Sequence, residues 1–275
     1  MGENRRVSTV EPEKRIWERE FFSGTAQELH EAEMPPVRRL VRLNSLTRPA
    51  VVLGSAQRAQ PAWVNAVEQS GIDLARRRSG GGAVWLAPGE QCWIDLWLPA
   101  SDPLWISDVA QSSWWLGECW AQALTTLAGH TTASAAGATT LQAAAPQVHT
   151  GQLLDREFAQ IACFAGLGSG EVTVNHRKVV GISQRRSRLG ARFQCVVYIQ
   201  WDPEPLLAVL ESTEKQTDEG AHRREQSAGV STTGGSSGLG SVLRTRVQAA
   251  GIAPGSAHVP IERRVFDALV ASLPQ

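Results

Sequence analysis

The eleven residues Leu74-Ala75-Arg76-Arg77-Arg78-Ser79-Gly80-Gly81-Gly82-Ala83-Val84 constrain this chain more than any other stretch. Three arginines run into three consecutive glycines, and apolar residues flank both sides. Glycine has no Cβ, so the backbone there can take positive φ and come close to another group. Arginine beside such a bend offers several planar donors to a carboxylate or phosphate. The pattern predicts a strand–loop–strand that grips an anionic group. A plain tight hairpin with an exposed basic edge is the competing expectation.

Residues 171–186, Glu-Val-Thr-Val-Asn-His-Arg-Lys-Val-Val-Gly-Ile-Ser-Gln-Arg-Arg, read as a hairpin, with two β-branched runs around a polar turn at Asn175 to Arg177. Lys178 opens the second strand. The chain has three lysines, Lys14, Lys178 and Lys215, against twenty-four arginines. In so arginine-rich a chain a retained lysine suggests a site that needs a compact ammonium with a tunable pKa. A lone surface lysine is the plainer alternative.

Together the two segments resemble the catalytic domain of the lipoate–protein ligase and octanoyltransferase family. Its ligases carry Ala-Arg-Arg-x-Ser-Gly-Gly-Gly-Ala-Val, matched from Ala75 to Val84, and a lysine followed by Gly-x-Ser or Gly-x-Ala, matched by Lys178 to Ser183. The resemblance spans roughly Arg42 to Leu210. It implies an α/β (α+β) fold, a mixed β-sheet flanked by helices as in biotin and lipoate ligases. It also implies a pocket for an acyl chain or acyl-adenylate, lined by Arg77, Ser79, Gly80, Gly81, Gly82, Ala83, Val84, Trp85, Gly181 and Ser183. Lys178 is then the catalytic lysine, contacting the activated carbonyl. The product is a lipoyl or octanoyl amide on a lysine of a lipoyl carrier domain, of the glycine cleavage H protein or 2-oxoacid dehydrogenase E2 type. One departure stands out: the family usually continues with an aromatic residue and His-Asp, where this chain has Trp85-Leu86-Ala87.

Cys163 is the second candidate catalytic residue. It precedes Lys178 by fifteen positions (178 − 163) and is followed by Phe164, as in the cysteine-dependent octanoyltransferases of the family, where the thiol carries the acyl group as a thioester. A thiolate suits that task, and a nearby ammonium favours the ionised form. A buried cysteine acting as a small hydrophobe is the alternative. Two chemistries stay open. In one, Cys163 passes an acyl group between carriers with no tightly bound cofactor. In the other, ATP and Mg activate free lipoate or octanoate as an adenylate. The Cys163–Lys178 spacing and the short tail favour transfer, whereas the intact triple glycine favours the ligase. The absent His-Asp leaves a third possibility, a non-catalytic acyl- or nucleotide-binding relative.

Composition restricts the setting. The chain has zero formal net charge, so no general affinity for nucleic acid is expected. No apolar run approaches the ~18 residues of a membrane span, and the polar N-terminus is unlike a secretory signal. Cys92, Cys119, Cys163 and Cys195 form no Cys-x-x-Cys pair, so reduced thiols in a cytoplasmic enzyme are the expectation. The expected organisation is a flexible lead-in (1–20), a catalytic domain (21–211), a disordered linker (212–240) rich in Ser, Thr, Gly and charge, and a short helical tail (241–275). Seven of the ten tryptophans fall between Trp85 and Trp120. Core packing accounts for most of them, and Trp85 is the one expected to wall the pocket. His149 and His176 lie nearest the motifs, and neither is assigned a role.

Overall fold

The strand β6 (Gln91–Pro99) is buried along its whole length. Residues on its two faces alternate, so a strand apolar on both sides requires a packed layer on each. In the computed structural model, which describes residues 16–34, 37–129, 144–212, 243 and 259–275, both layers are present. β6 lies inside a seven-stranded mixed sheet between β2 (Leu40–Leu46) and β10 (Gly190–Tyr198), antiparallel to both. Outward from β2 runs β1 (Glu18–Gly24), the parallel member. Outward from β10 run β9 (Arg177–Arg186), β8 (Val172–Val174) and β7 (Gln147–Val148).

Cys92, Ile94, Leu96 and Leu98 of β6 face one core, shared with Leu116, Trp120 and Leu124 of helix α3 (Trp114–Gly129). Trp93 faces the other. That second core is closed by a three-stranded sheet, in which β3 (Ala50–Leu53) lies between β4 (Asp73–Arg76) and β5 (Val84–Leu86). Helix α1 (Ala26–Glu31) joins it, started by a reciprocal capping box between Thr25 and Glu28. Helix α2 (Pro61–Ser70) starts on a proline and ends at Gly71, whose φ of 66° is the usual left-handed helix stop. A four-residue helix α4 (Arg156–Ala159) and helix α5 (204–212) follow in the chain.

The predicted boundaries shift at both ends. Order begins before residue 21: Trp17 is buried and donates its indole N–H to the Pro274 carbonyl, and β1 starts at Glu18. The C-terminal helix α6 (Ile261–Ser272) is no appendage, because Val265, Phe266, Leu269 and Val270 pack into the α3 core. Residues 1–15, nearly all of the expected linker, residues 130–143 and, apart from Leu243, the first part of the expected helical tail (241–258) lie outside the described residues. No described helix is long and apolar enough to cross a membrane.

Candidate active site

The glycine-rich loop joins β4 to β5 and has to turn back over the end of β3, which pairs with both strands. The strand–loop–strand expectation holds, but the arginines behave differently from what the sequence suggested. Arg77 is buried and folds onto its own loop. Its Nε and Nη2 donate to the Gly80 carbonyl (3.1 and 2.8 Å), Nη2 also to that of Gly82 (2.7 Å), and Nη1 to that of Val52 (3.3 Å). Arg76 donates to the carbonyls of Gly54 and Gln57, and Arg78 is exposed. Arg77 thus shapes the loop with donors that the sequence reading had reserved for an anion.

Two glycines are sterically required. Gly81 sits at φ 95°, a region costly for residues with a Cβ. A Cβ on Gly82 would stand 2.5 Å from the Ala162 nitrogen. That close approach lets the segment carrying Cys163 dock on the loop: Ala83 N donates to the Ile161 carbonyl and Cys163 N to the Ala83 carbonyl, both at 2.8 Å.

The predicted hairpin forms as β8 and β9, with Asn175 and His176 in the turn at positive φ. Lys178 is only 5% exposed. Its ammonium meets Glu171 Oε2 at 2.8 Å and donates to the carbonyls of Cys163 (3.0 Å) and Gly166 (3.3 Å). It also stands 4.6 Å above the Phe164 ring. An ammonium has three protons, and these oxygens engage them. Glu171 is equally well served, accepting from the Gly168 nitrogen (2.6 Å) and the Ile182 nitrogen (3.0 Å). Sequence reasoning found Lys178 and passed over Glu171, seven positions earlier (178 − 171). The two lie on opposite arms of the β8–β9 hairpin, so the hairpin's return brings them together.

Loop, hairpin and Cys163 segment meet around a cavity whose empty space, open solvent included, is about 390 Å³. Cys163, Phe164, Gly181 and Ser183 wall one part of it, with Arg77 and Val84 beside them. Leu86, Trp93, Val196, Gln194 and His30 complete the lining. Ser79 lies behind the wall, its hydroxyl donating to that of Ser183 at 3.0 Å and tying loop to hairpin. Gly80, Gly81, Gly82 and Ala83 form the loop's frame outside the lining.

Of the four cysteines, Cys163 alone lines the cavity. Burial pushes the thiols of Cys92 and Cys195 well up, and that of Cys119 to about 11. Lys178 touches the Cys163 carbonyl oxygen and pairs with Glu171. The expected ammonium beside the thiol is therefore, in this arrangement, an ammonium holding the backbone that carries it.

One expectation is redirected, and one wall residue is new. Trp85 does not face the cavity. On a strand successive side chains alternate, so Val84 and Leu86 point in, and Trp85 points away to donate to Glu90 Oε2 at 2.8 Å. Trp93 is the tryptophan in the wall. The histidine in the wall is His30, which sequence reasoning missed because α1 lies far from both motifs in the chain. His149 instead bonds the Gln152 carbonyl, and His176 stays in the turn. Burial pushes the His30 pKa down to about 3, so its ring is neutral at ordinary pH.

Residues 25–232 match the family described as the lipoyl protein ligase A/B catalytic domain. The chain belongs to that family. Among solved structures, the putative lipoate protein ligase Ta0514 from T. acidophilum with bound lipoic acid is similar at TM-score 0.57 and 14% identity, over 94% of this chain and 83% of that one. A bi-partite lipoate protein ligase from Thermoplasma acidophilum, described with its E2 lipoyl domain, is similar at TM-score 0.54 and 14% identity, over 94% and 82%. A lipoate-protein ligase A bound with ATP gives TM-score 0.54 and 15% identity, over 94% and 83%. At such identities the likeness shows a shared fold, a mixed sheet with flanking helices. No curated protein sequence matches the chain.

Proposed function

We propose that this member of the lipoate ligase family passes an octanoyl or lipoyl group to a lysine of a lipoyl carrier domain through a thioester on Cys163. The supporting observation is the Cys163 side chain in the wall of a largely apolar cavity, where the glycine loop and the Lys178 hairpin meet. In the first step the Cys163 thiolate attacks the donor's acyl thioester. The new carbon–sulfur bond forms as the old one breaks, and the donor leaves as a thiolate that takes up from solvent the proton Cys163 had released. In the second, the neutral ε-amine of the carrier lysine attacks the Cys163 thioester. An amide forms, and the amine's proton goes to the departing Cys163 sulfur. A thiolate is strongly nucleophilic and leaves well, which suits both steps.

Lys178 acts here chiefly by position. With Glu171 it clamps the Cys163 and Gly166 carbonyls and so fixes the nucleophile's backbone against the loop. The acceptor is a lipoyl domain of the E2 type or an H protein, in keeping with the E2 lipoyl domain described for the bi-partite relative. No tightly bound cofactor is needed on this route.

ATP-dependent ligation is the second reading, favoured by the intact triple glycine with its left-handed Gly81, and it would use ATP and Mg. Against it, Arg77 is spent on carbonyl oxygens and Lys178 on Glu171 and carbonyls, which leaves few free cations for a polyphosphate at the cavity. Intact-mass analysis of a carrier domain incubated with octanoyl-carrier donor, with and without ATP, separates the two. Transfer without ATP, a hydroxylamine-sensitive adduct on the enzyme, and a loss of about 10³-fold or more in C163S support the thioester route. An active C163S enzyme that strictly requires ATP and free acid overturns it in favour of the ligase.

A further inference from the structure

The acyl cavity has one polar atom that the protein leaves unsatisfied. His30 lines it, is 5% exposed, and its Nε2 has no hydrogen-bond partner among the described residues. The other ring nitrogen, Nδ1, lies 3.0 Å from the Gln194 amide nitrogen. That nitrogen can only donate, so Nδ1 accepts and the neutral ring carries its proton on Nε2. A buried N–H without an acceptor is costly, which makes such a group a pointer to a missing partner.

His30 is also held with care. Its ring packs on Trp93 at 4.5 Å between centroids. Its carbonyl accepts from Arg192 Nη1, while Arg192 Nη2 bonds both the Leu29 carbonyl and Asp95, which in turn accepts from the Trp93 indole. The imidazole is therefore fixed in place and direction.

Strand register locates it along the cavity. Gly181 on β9 faces Val196 on β10, which faces Trp93 on β6. Two strand spacings of about 4.8 Å put the Trp93–His30 end roughly 10 Å from the Gly181 end. Phe164, next to Cys163, packs over Gly181, within 3.1 Å of where a Cβ would stand. An extended chain advances about 1.2 Å per bond, so an eight-carbon acyl group spans roughly 8–9 Å. With its carbonyl at Cys163, such a group ends at His30.

We infer that His30 is a specificity-determining residue whose Nε2–H reads the distal end of the acyl chain and favours a dithiolane-bearing lipoyl group over a plain octanoyl group. This rests on the acyl-pocket reading above, but on neither of its two mechanisms. A ring sulfur is a weak hydrogen-bond acceptor, whereas a terminal methyl is none and leaves the N–H unpaired. Sites built around a polar group discriminate against ligands that leave it unpaired.

Calorimetric binding of free lipoate and free octanoate to the wild-type protein, H30L and H30Q provides the test. Wild type is expected to bind lipoate at least tenfold tighter than octanoate. H30L, which keeps bulk and loses the donor, should narrow that ratio to about twofold. H30Q, which keeps an N–H, should retain most of it. A wild-type ratio near one, or an unchanged ratio in H30L, overturns the assignment. Binding of neither acid, with carrier modification also absent, would instead defeat the acyl-pocket reading itself. The same ratio measured by carrier modification, from acyl-carrier donors or from free acids with ATP, follows whichever route is active.

Discussion

Lys178 and Arg77 are both cations buried beside one cavity, yet the fold compensates them in opposite ways. Lys178 has a carboxylate in contact, and that carboxylate is itself fully hydrogen-bonded. Arg77 makes no ion pair among the described residues and is held by three backbone carbonyls. Burial accordingly lowers the Arg77 pKa, with only partial relief from Cys163 and Glu171. The hairpin thus carries a neutralised charge, and the glycine loop carries one that other groups still feel. His30 is among them: burial dominates its low pKa, Asp95 opposes, and Arg192 and then Arg77 add to it.

The largest consequence concerns stability at Lys178. A strand-edge lysine would be cheap to remove, but this one is buried and paired. K178M strands the Glu171 carboxylate and should cost about 3–5 kcal/mol. The double variant K178M/E171Q should regain a substantial part, read from urea midpoints as a double-mutant cycle. Additive single effects would show that the pair is not a unit.

R77M strands no charge, so its cost should be smaller, about 1–3 kcal/mol from carbonyls left without a donor. A loss matching that of K178M would erase the contrast between the two cations.

The pH dependence separates them further. An unfolded His30 titrates near 6.5 and the folded one near 3. Its full stability contribution is therefore present above pH 6.5. Below that, the unfolded state binds a proton that the folded state refuses, and stability falls by about 1.4 kcal/mol per pH unit until roughly pH 3. Denaturation of wild type and H30L at pH 7, 5.5 and 4.5 should show the variant losing less by that slope. R77M should narrow the window by raising the folded pKa. Parallel wild-type and H30L profiles would mean that the buried ring is not the source.

The smallest effect is expected at Trp85. W85F removes one hydrogen bond to Glu90 on the side away from the cavity, at a cost of about 1 kcal/mol or less. Acyl transfer should stay within twofold of wild type, whereas W93A should impair it. Comparable losses in both would return Trp85 to the cavity wall.

Local pattern made much of this protein legible before its structure. The triple glycine announced a loop between strands, and the β-branched runs around Asn175 and His176 announced a hairpin. Each depends on residues close in the chain, where backbone sterics and side-chain periodicity act directly. The pairing of Lys178 with Glu171, the turning of Arg77 onto its own loop, and the choice of Trp93 over Trp85 for the cavity wall were decided by tertiary structure. So was the arrival of His30 from α1, through contacts with β6 and β10 that no local period encodes. A buried charge takes whichever partner the packed chain brings within reach, and strand register sets which face a side chain lines.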